Sequence, residues 1–290
     1  MRPLTIHQFF KKFPNDKTCL AHLFEVRFGQ GHICPKCRRA AKWYSLKAER
    51  AFSCQWCGHH IHPTVGTLFE KSRTPLQLWF YAIYLFTSTR NGVAAKELQR
   101  QLGVTYKCAW RMGHKIREHM ALVDGDRMLG GQVEVDETFI GGYRPGGQGG
   151  KGKAIVMGML EKGGEIVTEV IPDRTSKSLM KHIRDHVDVG SEVHTDEHTG
   201  YNLLDRTDDY ERLAVVHSAE EYVGALGETT NSVEGFFSQL KRTIEGTHIY
   251  VSCKHLDKYA KECEFRFNRR RNPALMLPDL LSLFPQLDAR

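Results

Sequence analysis

Three acidic side chains stand in special places in the sequence. Asp136 lies inside "VEVDETFI", an alternating apolar stretch that reads as a half-buried strand, and a charge there must be paired or metal-bound. Asp196 ends "SEVHTD", at the carboxyl end of a second strand, where α/β sheets commonly place functional groups. Glu234 stands in "NSVEGFFSQLKR", a helix whose Val233, Phe236, Phe237 and Leu240 form an apolar stripe. Taken singly, a strand Asp is more usually a hydrogen-bonded structural residue, and no one of the three makes a site. Together they match a set of three convergent carboxylates, which can hold two divalent cations roughly 3.5–4 Å apart for in-line displacement at phosphorus. Magnesium suits such a set, because it prefers a few carboxylates plus water and phosphate oxygens.

A second chemical pattern lies upstream. "CPKC" (Cys34, Cys37) and "CQWC" (Cys54, Cys57) are separated by sixteen residues. Each pair offers two thiolates from one tight turn, and two such turns complete a tetrahedral zinc site. Four thiolates close the coordination shell, so this zinc is expected to be structural; an iron centre on the same cysteines is the rival reading. His59, His60 and His62 follow closely and read as surface or DNA-facing residues.

Charge divides the chain. Residues 1–130 carry 21 Lys and Arg against 8 Asp and Glu, residues 131–240 carry 10 against 20, and residues 241–290 carry 10 against 6. The basic first part suits a polyanion partner. The acidic middle would repel nucleic acid unless metal ions reverse the local sign. No run of about eighteen apolar residues suggests a membrane span, and the start lacks the apolar stretch of a signal peptide, so a cytoplasmic setting is expected.

The elements that must position these groups follow from periodicity. "TPLQLWFYAIYLFTST" reads as a helix capped by Thr74 with Pro75 at its first position. "NGVAAKELQRQLGVTYKCAWRMGHKIREHM" reads as helix, short turn, helix. This helix-turn-helix pattern would present Tyr106, Lys107, Arg111 and Lys115 on its second helix; a plain helical hairpin used for packing is the alternative. From residue 130 the order is three strands, a helix with Ser176 as cap, a strand, a short helix, a strand and the Glu234 helix, followed by a basic helix stopped before Pro273. That order predicts a mixed α/β sheet.

The ordered set "CPKC", "CQWCGHHIHPTVGTLFEKSRTPLQLWFYAIY", "VEVDETFIGG", "VHTDEHTGY", "NSVEGFFSQLKR" and "CEFRFNRR" resembles the bacterial insertion-sequence transposases of the ISXO-like type, which carry a zinc ribbon before an RNase H-like DDE domain. The resemblance spans nearly the whole chain. It implies an RNase H-like catalytic core, two magnesium or manganese ions, DNA as substrate, and catalytic, metal-holding carboxylates at Asp136, Asp196 and Glu234. It also implies a DNA contact at Lys241, seven residues after Glu234, and Arg242 follows it. Asn231, one helical turn from Glu234, is a rival third ligand. Alternation turns Glu137 away from the face of Asp136, whereas Glu134 shares that face. Glu228 and Thr229 stand where relatives of this type have a His before the Thr-Asn pair.

The division expected is a helical segment (1–30), a zinc ribbon (31–70), a helix-turn-helix region (71–125), an RNase H-like DDE domain (130–272) and a tail (273–290). The function implied is an insertion-sequence transposase that binds terminal inverted repeats and performs magnesium-dependent cleavage and strand transfer, acting at the nucleoid. Its partners are element ends and target DNA, with a homo-oligomer required to hold two ends. A regulator with a decayed catalytic domain and a nuclease without strand transfer are the alternatives. Lys254, Lys258, Lys261, Arg269, Arg270 and Arg271 would neutralise phosphates or form a solvated basic face.

Overall fold

In the computed structural model the described residues are 3–141, 153–215 and 230–284. The glycine-rich stretch at 142–152, and Glu228 with Thr229, lie outside them. The chain divides into two units, Met1–Val123 with Asn272–Arg290, and Asp124–Arg271.

The first unit is helical around a small three-stranded sheet. Helices α1 (Ile6–Lys12) and α2 (Asp16–Arg27) precede strands β1 (Trp43–Ser45), β2 (Phe52–Cys54) and β3 (His60–Ile61), which pair in that order, antiparallel. Helix α3 (Leu76–Ser88) starts one residue later than its sequence suggests. Pro75 is its N-cap, and Thr74 supplies no side-chain cap bond. Helices α4 (Ala95–Leu102) and α5 (Tyr106–Asp124) are joined through Gly103, which adopts the left-handed conformation (φ 65°) that ends α4. A feature not visible in the sequence pattern is α9 (Met276–Ser282), formed within the segment read as a tail. It buries Met276, Leu277, Leu280 and Leu281 in the first unit, where its Leu280 carbonyl lies 3.0 Å from Nε2 of the buried His119.

The second unit is built on a five-stranded mixed sheet. Its strands are β4 (Gln132–Ile140), β5 (Ala154–Glu161), β6 (Ile166–Ile171), β7 (Glu192–Thr195) and β8 (Glu211–Ala214), in the order β6-β5-β4-β7-β8. The first three form an antiparallel meander, whereas β7 and β8 add parallel to β4. Parallel addition requires a crossover, supplied by α6 (Ser176–His186), whose N-cap is Thr175 rather than Ser176. One face of the sheet packs Val133, Val135, Met157 and Val193 against α6 residues Leu179, Met180 and Ile183. The other packs Val156 and Leu160 against α7 (Asn231–Thr243) and α8 (Cys253–Asn268) through Val233, Phe236, Phe237, Leu240, Leu256 and Ala260. Helices on both faces and strands apolar on both sides make this a mixed α/β unit, as expected from the element order.

Helix α8 also closes the β6 edge of the sheet. The N–H of Thr168 donates to Glu264 at 2.7 Å and that of Ile166 to Asn268 at 2.8 Å. Residues two apart on a strand lie roughly 6.6 Å apart and residues four apart on a helix roughly 6 Å, so one helix face satisfies alternate edge donors. The "CEFRFN" run therefore covers the β6 edge at Ile166 and Thr168, where unpaired strand donors would otherwise face outward.

Candidate carboxylate centre and zinc ribbon

Parallel register brings the two aspartates together. Glu134 pairs with His194, and Asp136 and Asp196 each follow their strand two residues further, so both stand at the same level of adjacent strands. Carboxylate oxygens of Asp136, Glu137 and Asp196 all lie within 4.8 Å of one another. Glu137 does start on the opposite face, as alternation requires. There Arg174 and the buried hydroxyl of Tyr201 hold its carboxylate, and its long side chain ends beside the aspartates. Arg174 also reaches Asp196 at 3.9 Å. Strand alternation alone sets Glu137 aside, and no sequence pattern singles out Arg174 or Tyr201.

Electrostatics mark the centre. Burial, opposed by a 2.7 Å hydrogen bond from the N–H of Glu137 and reinforced by the charges of Glu137, Asp196 and Glu234, pushes the Asp136 carboxyl up to about 7. Asp196 accepts the N–H of His198 at 3.0 Å, which fixes the turn after β7. Burial, and then the Glu137 charge, hold Tyr201 well above the usual phenol range, so it remains a hydrogen-bond donor.

Glu234 is exposed on the first turn of α7, bonded to the Thr230 hydroxyl at 3.1 Å, and near enough for its charge to act on Asp136. It is not within the 4.8 Å cluster of Asp136, Glu137 and Asp196. Asn231 is exposed at the start of the same helix. Two contacts seat α7. Buried Glu134 accepts the N–H groups of Ser232 and Val233 at 2.9 and 3.0 Å, so a strand carboxylate caps the positive end of the helix. Gly158 faces Asp136 across the β4–β5 ladder. A methyl group there would sit 2.9 Å from side-chain carbons of Val233 and Phe237. Only glycine lets the helix lie this close to the sheet. Asp136, Glu134 and Gly158 thus link the centre to the helix that carries Glu234.

The set fits a hard divalent cation. Oxygens held 2.0–2.1 Å from one magnesium ion are roughly 3–4 Å apart, within reach of carboxylates already clustered at the carboxyl end of the central strands.

The cysteines form a second centre in the first unit. Cys34 and Cys57 Sγ are 3.6 Å apart and Cys37 and Cys54 Sγ 3.9 Å apart, and all four sulfurs lie within 4.8 Å of one another. A tetrahedron with zinc–sulfur bonds of about 2.3 Å has edges of about 3.8 Å, so the spacing fits zinc. The two turns repeat one backbone design. The N–H of Arg38 bonds the Cys34 carbonyl at 2.8 Å and that of Gly58 bonds the Cys54 carbonyl at 3.0 Å, both residues having positive φ. Burial opposes the Cys34 thiolate, but the N–H groups of Cys37 and Lys36 and the neighbouring thiols outweigh it and bring the thiol down to about 7. None of His59, His60 and His62 joins the cluster.

The expected DNA contacts fall on two helices. Lys107 and Arg111 are exposed and Lys115 half-buried along one face of α5, opposite buried Ala109, Met112 and Ile116. Lys241 and Arg242 are exposed in the last turn of α7. Part of the C-terminal basic set has structural partners. Lys261 pairs with Glu169 and Glu264, Arg269 with buried Asp124, and Arg270 and Arg271 reach the carbonyls of Gly164 and Gly163.

Sequence comparison places both centres. A transposase zinc-ribbon domain matches residues 14–60 and an ISXO2-like transposase domain matches residues 128–268. The chain belongs to the insertion-sequence transposases that combine these two domains. It is 27% identical over 287 residues to an uncharacterised protein in transposable element ISH50 of Halobacterium salinarum, covering 91% of this chain and 94% of that one. It is 30% identical over 107 residues to a transposase-like protein of Haemophilus influenzae, covering 36% of this chain and 81% of that one. The family read from the ordered motifs is thus the family found. Among the described residues, no helix is long and apolar enough to cross a membrane.

Proposed function

We propose that the second unit is an RNase H-like DDE domain that cleaves and joins DNA at the ends of its own element. The meander followed by parallel addition, β6-β5-β4-β7-β8, supports that fold. The observation that carries the reading is the convergence of Asp136 and Asp196 from adjacent parallel strands, with Glu234 on the first turn of a helix seated on Gly158 and Glu134 and its charge felt by Asp136. Asp136, Asp196 and Glu234 would hold the divalent ions. Such ions, when bound, supply Lewis-acid activation of the attacking and leaving oxygens.

The remaining steps belong to the chain. Asp136 feels the charges of both Asp196 and Glu234, and it must lose its proton to bind a cation. Glu137, clamped by Arg174 and Tyr201, sits behind the pair and keeps negative potential at the site. Lys241 and Arg242 neutralise phosphates of the strand entering the centre. The zinc ribbon, together with Lys107, Arg111 and Lys115 on α5 as the recognition helix of a helix-turn-helix, binds the terminal inverted repeats. Two element ends must be held for joining, which calls for more than one copy on DNA.

Incubating the protein with pre-cut element ends, a target plasmid and Mg²⁺ tests the reading. Covalently joined end–target products are expected. Nicked or shortened DNA without joined product would make the protein a nuclease instead.

A further inference from the structure

Past its last α-helical turn, α7 continues as a short π-helical stretch, Ile244–His248, and then turns sharply. Ile249 has φ 64° and ψ −50°, and the Tyr250 N–H bonds the His248 carbonyl at 2.7 Å. This is a γ-turn of the strained, positive-φ kind, at a β-branched residue for which that region is a genuine outlier. The strain is not spent on burial. Ile249 is 85% exposed and Tyr250 67% exposed, side by side at the turn. Strained backbone that holds apolar side chains in water points to a function for them.

The turn lines a cleft with Phe139, Ile140, Lys153, Lys241, Ile244 and Glu245. Both walls continue the elements of the carboxylate centre. Phe139 lies three residues beyond Asp136 on β4, roughly 10 Å along a strand, and Lys241 lies seven beyond Glu234 on α7, roughly 10.5 Å along a helix. That is within about three nucleotide steps of a phosphate bound at the carboxylates. Two lysines outweigh one glutamate in the lining, so the cleft favours an anion, and an exposed aromatic beside cations is the chemistry of single-stranded nucleic-acid binding.

We propose that this cleft takes an unpaired nucleotide of the DNA end. Tyr250 stacks on the base, Ile249 wedges against the last base pair, and Lys241 and Lys153 hold the flanking phosphates. The inference rests on the DNA-processing reading above and assigns these residues a strand-opening role at the same site.

The test compares full-length protein binding to a duplex with a five-nucleotide single-stranded overhang and to the blunt duplex. The overhang carries 2-aminopurine beside the junction. Wild type is expected to prefer the overhang by about tenfold and to quench the fluorophore. Tyr250→Ala is expected to lose both preference and quenching while binding blunt duplex as before, Tyr250→Phe to keep both, and Lys241→Ala to reduce the salt dependence by about one phosphate contact. Tyr250 is exposed, so folding is expected to be unchanged, and circular dichroism checks this. Equal overhang preference in Tyr250→Ala would overturn the proposal, as would equal loss on both DNAs or a variant whose change is confined to self-association. Asp136→Asn, taken through the same binding comparison and a separate cleavage assay with Mg²⁺, keeps the two readings apart. Retained Mg²⁺-dependent cleavage in that variant would sink the carboxylate assignment and leave the overhang result standing.

Discussion

Asp136 carries the heaviest electrostatic load in the molecule's carboxylate centre. Its carboxyl is raised to about 7, by burial first and by Glu137, Asp196 and Glu234 after it. A carboxylate raised in the folded state costs stability once ionised, so the penalty is absent below about pH 4, grows with pH and saturates above about pH 7. In metal-free protein, Asp136→Asn is expected to raise the unfolding free energy at pH 8 by on the order of 2–4 kcal/mol, and with it the melting temperature, and to change nothing at pH 4. Adding Mg²⁺ should reverse the order at pH 8, because only wild type binds it. A variant less stable than wild type at pH 8 without metal would contradict this picture. Asp136 and Asp196 were legible from sequence because a charge inside an apolar strand, and another at a strand's carboxyl end, are local anomalies. Glu137 was not. Alternation gives the direction of its Cβ, but Arg174 and Tyr201, distant in sequence, decide where its carboxylate ends.

At the scale of elements, α7 was legible as a helix with a buried stripe, and Val233, Phe236, Phe237 and Leu240 are all buried as the spacing requires. How close that helix comes to the sheet was not legible. It depends on Gly158, which gains meaning only when the β4–β5 register sets it opposite Asp136. Gly158→Ala is expected to lift α7, to cost about 1–3 kcal/mol by overpacking, and to impair cleavage far more than a loss of that size explains. Chemical denaturation beside a cleavage assay checks both, and full activity in a normally folded variant would remove Gly158 from the argument. The C-terminal motif has a similar history. "CEFRFN" was legible as a helix, but the use of Glu264 and Asn268 to cap the β6 edge requires knowing which strand lies at that edge. The short helix α9 is illegible in the sequence for the same reason, since its apolar residues acquire a core only from the first unit.

At the scale of the whole molecule, charge and metal sort the chain into two kinds of work. The basic, cysteine-bearing part has a ribbon too small for a core of its own, and zinc binding of the order of 10–16 kcal/mol would hold it folded. Purified protein is expected to contain one zinc per chain, and Cys34→Ser or a strong chelator should unfold the ribbon and weaken DNA binding. Metal analysis and change in tryptophan fluorescence would report it, with Trp43 buried in the ribbon. Unchanged DNA binding after zinc loss would separate the ribbon from end recognition. On the proposed function the acidic part takes up divalent metal before it accepts a phosphate, and the account turns on which carboxylates hold that metal. The most direct measurement is Mg²⁺-dependent cleavage at an element end by four purified variants side by side. Asp136→Asn, Asp196→Asn and Glu234→Gln are each expected to fall about a thousandfold or more, and Glu137→Gln to stay within about tenfold of wild type. Glu234→Gln cleaving normally while Glu137→Gln does not would move the third ligand from helix to strand and contradict the account.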